Sequence, residues 1–149
     1  MKYFAYGSNM SSEELCACCP SAEFLSTARL PDHRLDFTRY STKRQGGVAD
    51  IVQSTGDEVW GVLYEIPPAE LPALDGKEGV ATAAYEQTYV EVITASGERA
   101  EALSYAVVRK APTEPPHRAY LDIILSGARE HALPVEYVGR LEQIATRDR

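Results

Sequence analysis

The chain opens on a short apolar stretch, residues 2–6, which Gly7-Ser8-Asn9 interrupts. An apolar run bounded by turn formers predicts a strand. Ser11-Ser12-Glu13-Glu14 follows, with Ser and Glu three residues apart. The hydroxyl can accept from the N–H three residues on, and the carboxylate can reach back. This predicts a short helix ending near Cys19-Pro20. Residues 34–38 alternate weakly and predict a strand, whereas 40–46 are polar and loop-like. Residues 47–52 and 59–66 are rich in β formers and predict two strands separated by a turn at 54–57. Pro67-Pro68 ends the second of these and opens a short helix through Leu71 and Leu74. Residues 75–84 read as a loop or broken helix.

Residues 85–94 form the longest strand candidate, with Tyr85, Gln87, Tyr89, Glu91 and Ile93 on one face. Ser96-Gly97 turns the chain into residues 100–108, completing a hairpin. Beyond Pro112, Pro115 and Pro116 the period changes. Tyr120, Ile123, Ile124, Gly127, Ala128 and His131 recur at helical spacing. Leu133-Pro134 restarts the chain, and Val135, Val138, Leu141 and Ile144 form a second apolar stripe. Strands dominate the middle, and helices lie near the start and at the end. The pattern predicts an α+β fold whose mixed, largely antiparallel sheet curls into a small barrel with flanking helices.

The 149 residues, 44% of them hydrophobic, are the size of one domain with a real core, so residues 1–149 are expected to form a single domain. A net charge of -7 without a basic stripe argues against nucleic acid or an anionic membrane surface as a partner. No secretory signal is visible and no apolar run approaches the ~20 residues of a membrane span, so the expected compartment is the cytoplasm. Cys16 and Cys19 form a C-x-x-C, but no second such pair or H-x-x-x-H accompanies it. Semi-buried structural thiols are therefore expected, with no metal site and no cofactor. P-loop, G-x-G-x-x-G and G-x-S-x-G motifs are absent from the sequence. Of three histidines, His131 ends a helical stripe and reads as structural, and His117 lies in the Pro-rich loop.

Tyr6-Gly7-Ser8-Asn9 resembles the Y-G-S-N signature of the γ-glutamylcyclotransferase family. Further similar blocks follow in order. They are Gly46-Gly47-Val48-Ala49-Asp50-Ile51, Val59-Trp60-Gly61-Val62, Leu74-Asp75-Gly76-Lys77-Glu78-Gly79, and the last helix leading to Leu133-Pro134. Met10 stands where Leu is commoner in the family. The resemblance covers nearly the whole chain.

The resemblance implies a barrel enzyme that cleaves a γ-glutamyl amide without water or a protein nucleophile. The substrate's own α-amine attacks its γ-carbonyl, releasing 5-oxoproline and a free amine or amino acid. Glu78 matches the family's acid/base residue. Tyr6, Gly7, Ser8, Asn9 and Met10, with Tyr85, Tyr105 and Tyr120, fall where the resemblance places the pocket. Asp50 and Asp75 read as structural or exposed. The implied partner is a small γ-glutamyl compound, and a homodimer is compatible with the family. Three alternatives stay open at this point. These are removal of a γ-glutamyl protecting group from a biosynthetic intermediate, plain hydrolysis of the same bond, and a binding module without catalysis.

Overall fold

The computed structural model describes residues 1–148. Its strands are β1 (Lys2–Ala5), β2 (Glu23–Ser41), β3 (Gly46–Glu65), β4 (Tyr85–Thr94) and β5 (Arg99–Val107). Its helices are α1 (Ser12–Cys16), α2 (Leu71–Lys77), α3 (Arg118–Glu130) and α4 (Val135–Glu142). The strands close into a barrel in the order β1-β3-β2-β4-β5. Neighbours run antiparallel except β1 and β5, which are parallel with Tyr3 opposite Leu103. The expected α+β barrel with flanking helices is the observed architecture.

The barrel is built around one long ribbon, in which β2 and β3 pair from Glu23↔Glu65 to Ser41↔Gly46. Two expectations change here. β2 is far longer than the predicted 34–38, because its outer half pairs without regular alternation. The predicted turn at 54–57 does not divide β3. These four residues stand opposite the single residue Asp32, between the pairs Pro31↔Glu58 and His33↔Gln53. The chain bulges there and continues in the same direction. Gly56 takes φ 86° and its N–H donates to the Asp32 carboxylate at 3.0 Å.

One cluster of buried side chains fills the barrel and the space under the helices. Phe4, Leu63, Leu103, Leu121 and Ile124 are among its fully buried members. On β4 the inward residues are Val90 and Val92, while Tyr89 on the alternate face is 61% exposed. Asp50 is also fully buried. Its carboxylate accepts from Thr38 Oγ1 at 2.7 Å, the Val107 N–H at 3.0 Å and Lys110 Nζ at 2.7 Å, tying β2, β3 and β5 together.

α1 starts as the sequence predicts, with Ser11 Oγ accepting from the Glu14 N–H at 3.4 Å. It stops at Cys16, short of the expected Cys19-Pro20. His117, expected in a loop, caps α3 by accepting the Ala119 N–H on Nδ1 at 3.0 Å. The buried face of α3 adds Leu121 and Leu125 to Tyr120, Ile124, Gly127 and Ala128, and Ile123 is only half-buried. In α4 the buried residues are Tyr137 and Leu141, while Val135 is 82% exposed. The predicted stripe packs through Leu141, with Val138 and Ile144 against the same core, and only its first residue, Val135, faces solvent. The three cysteines are free thiols, with Cys16 exposed and Cys19 buried. His131 stacks on Phe24 and hydrogen-bonds Tyr64 at 3.0 Å, the structural role expected of it. No helix among the described residues is long and apolar enough to cross a membrane.

Candidate active site

β1 runs into a 3₁₀ turn, Ser8–Met10, closed by Met10 N–H to Gly7 C=O and Ser11 N–H to Ser8 C=O, each at 3.1 Å. These bonds use the donors at the end of the turn. The N–H groups of Ser8 and Asn9, at its start, donate to no protein acceptor among the described residues. α3 presses on this turn closely. A Cβ on Gly127 would fall 2.5 Å from the Ser11 nitrogen and 2.7 Å from the Met10 carbonyl carbon. Only a residue without a side chain allows that approach.

Glu78 arrives from the other direction. It caps the C-terminus of α2, with its N–H bonded to the Leu74 carbonyl at 3.0 Å. Gly79 then takes φ 67°, the left-handed conformation that commonly ends a helix and suits glycine. The chain therefore turns away at Gly79, and the carboxyl group of Glu78 is left facing the β1 turn.

Asn9 joins the two segments across 69 residues of sequence. Its side chain is buried, and Nδ2 donates to Glu78 Oε1 at 3.3 Å and to the Tyr3 hydroxyl at 3.0 Å. Its Oδ1 accepts from Lys77 Nζ at 2.6 Å, which fixes the amide orientation. Lys77 also donates to the Glu14 carbonyl at 3.0 Å. The Glu14 carboxylate pairs with Arg44 at 2.9 Å. Burial pushes the Glu78 carboxyl up to about 7, against the opposing pull of Lys77 and Arg44. Such a group exchanges its proton near neutrality.

Around Glu78 lies a small, partly open cavity, lined by Tyr3, Tyr6, Gly7, Ser8, Asn9, Ala49, Tyr85, Tyr105 and Tyr120 as well as Glu78 itself. The tyrosines are held by hydrogen bonds. Tyr6 donates to the Tyr105 carbonyl at 2.6 Å and Tyr105 to Asp75 at 2.5 Å. Tyr85 donates to the Ala49 carbonyl at 2.5 Å, and the Tyr120 hydroxyl accepts the Ala49 N–H at 3.1 Å. Burial raises the phenols of Tyr3, Tyr6, Tyr85 and Tyr105, and that of Tyr120 to about 12, so all stay neutral at physiological pH. The walls are rigid, neutral and polar.

The match to known proteins agrees with this geometry. A sequence model of the AIG2-like family matches residues 58–141. Human γ-glutamylcyclotransferase is 41% identical, over 98% of this chain and 79% of its own length. The cattle protein of the same name is 40% identical over the same shares. The chain belongs to the γ-glutamylcyclotransferase family. A solved structure named γ-glutamyl cyclotransferase superposes with a TM-score of 0.95 at 39% identity, covering all of this chain and 90% of that one.

Within this family member, the structure brings together every residue singled out from sequence except one. Met10 is fully buried behind the turn, where its carbonyl accepts from the Tyr64 hydroxyl at 2.9 Å, and it does not line the cavity. Its neighbours Tyr6, Gly7, Ser8 and Asn9 face the cavity, but the 3₁₀ turn rotates Met10 back toward the core. Sequence reasoning missed Tyr3, Ala49, Lys77 and Arg44. Tyr3 reads as an ordinary strand aromatic until Asn9 reaches it. Ala49 acts through its backbone, which leaves no side-chain signal. Asp50 and Asp75 are structural, the latter accepting from Tyr105 and from Gln87 Nε2 at 2.9 Å.

Proposed function

We propose that the chain is a γ-glutamylcyclotransferase in which Glu78 carries the protons and the start of the β1 turn holds the developing charge. The observation that supports this reading is the placement of a burial-raised carboxyl across a small cavity from the unpaired N–H groups of Ser8 and Asn9. As a carboxylate, Glu78 takes one proton from the substrate α-ammonium. The freed amine attacks the γ-carbonyl carbon and closes a five-membered ring. The N–H pair receives the oxyanion. Glu78 returns its proton to the leaving nitrogen as the C–N bond breaks. The second proton lost by the ring nitrogen also passes to the leaving amine, which departs as an ammonium. No water is consumed.

Positioning supplies most of the rate in such a reaction, and a well-held intramolecular attack is worth ~7–11 kcal/mol. The hydrogen-bonded tyrosine walls suit that task. Ser8 is a hydroxyl in the cavity, but it makes no hydrogen bond to Glu78 and no histidine or cysteine lines the site, which favours self-cyclisation over a covalent intermediate. The reading includes a cytoplasmic setting, in line with the three free thiols.

The test is an assay of γ-glutamyl amides with free and with acylated α-amines. Release of 5-oxoproline from the free form, and inertness of the acylated form, are expected. Release of the N-acylglutamate from an acylated substrate would instead establish hydrolysis.

A further inference from the structure

The cavity opens into a wider cleft that shares Ser8, Glu78, Tyr85 and Tyr120 with it. Because Glu78 stands at the junction, a glutamyl head held in the cavity would direct its leaving amine into this cleft. Its walls carry four cations, Arg39, Lys43, Arg44 and Lys77, and Glu78 is the one acidic side chain among them. That balance is the reverse of the whole chain, which has 22 acidic and 15 basic residues. Arg44 and Lys77 share one carboxylate, Glu14, at 2.9 and 3.5 Å. Arg39 and Lys43 make no ion pair among the described residues. Arg39 is half-buried at the end of β2, near enough to Tyr85 for its charge to oppose the rise of that phenol. Lys43 lies on the adjoining turn at the tip of the β2–β3 ribbon.

Resting on the cyclotransferase reading above, we propose that Arg39 and Lys43 select a leaving amine bearing two negative charges, such as an acidic amino acid. The glutamyl head does not satisfy these cations, since its α-ammonium and α-carboxylate cancel. A simple amine leaves both cations unmatched, and a neutral amino acid supplies one carboxylate. An acidic amino acid supplies two, one for the guanidinium fork and one for the ammonium. Both cations reach the cleft from flexible side chains on one ribbon tip. The selectivity therefore lies in substrate capture and leaves the chemistry at Glu78 unaltered.

The test compares γ-glutamylethylamide, γ-glutamylalanine and γ-glutamylglutamate as substrates of the full chain. The diacid is expected to show a kcat/KM on the order of tenfold above γ-glutamylalanine, carried by KM and eroded by salt. In an Arg39→Gln/Lys43→Gln double variant the diacid-to-ethylamide ratio should collapse by about tenfold or more, again through KM. Equal kcat/KM for γ-glutamylalanine and the diacid, or a variant that lowers all three substrates in proportion, overturns the proposal while leaving cyclotransfer intact. Absence of 5-oxoproline from all three substrates overturns the reaction itself.

Discussion

Glu78 is held between two opposing influences, burial that favours its neutral form and the cations Lys77 and Arg44 that favour its charged form. Its value of about 7 follows from that balance and gives two predictions. Glu78→Gln keeps the shape and the acceptor for Asn9 but cannot shuttle a proton, so 5-oxoproline release should fall by about 10²–10⁴-fold with an unchanged circular dichroism spectrum. Lys77→Met removes a cation that stabilises the carboxylate, so the rising limb of kcat/KM against pH should move to higher pH. An unmoved limb would show that another group titrates. Linkage gives a stability counterpart. A carboxyl raised in the folded state contributes stability that is fully present below its unfolded value of 4.5 and is lost as pH rises through about 7. The stability of Glu78→Gln relative to the parent should therefore increase across that window, by on the order of 3 kcal/mol at most. Urea titrations at several pH values would measure it.

At the scale of the elements, Gly79 decides where Glu78 points. Its φ of 67° ends α2, and a Cβ there would meet Ala84 Cβ at 3.1 Å. Gly79→Ala should cost about 1–2 kcal/mol in stability. It should also lower kcat by misaiming the carboxyl, and thermal melts together with steady-state kinetics separate the two effects. Elements themselves were legible to different degrees. β4 lies where its alternation predicts, with Ser96-Gly97 as the turn signal beyond its C-terminal end. β2 was not legible, since it owes its length to pairing with β3, and the predicted stripe of α4 packs through Leu141 but did not include the buried Tyr137.

The whole barrel depends on a buried charge that the pattern of hydrophobic residues does not show. Asp50 gathers a hydroxyl from β2, an N–H from β5 and the Lys110 ammonium. Asp50→Ala would strand the Thr38 hydroxyl and the Val107 N–H, while the Lys110 ammonium, 41% exposed, turns to water; a loss of roughly 2–5 kcal/mol is expected, read as a lowered urea midpoint. Ala49 lies beside Asp50 in β3, and its backbone is gripped by Tyr85 and Tyr120. The same substitution should therefore weaken substrate binding as well as stability.

By itself the sequence determined the order of strands and helices, the kinship of the chain, and the residue types available for the reaction. These are local properties, set by periodicity, capping and turn chemistry over a few residues. Closure of the barrel, with parallel pairing of β1 and β5, was decided only by tertiary structure. So were the meeting of Asn9 with Glu78 across 69 positions and the retreat of Met10 into the core. The proton affinity of Glu78 belongs to the same class. Desolvation and nearby charge act through space, and a carboxyl acquires them only when the fold brings distant groups around it.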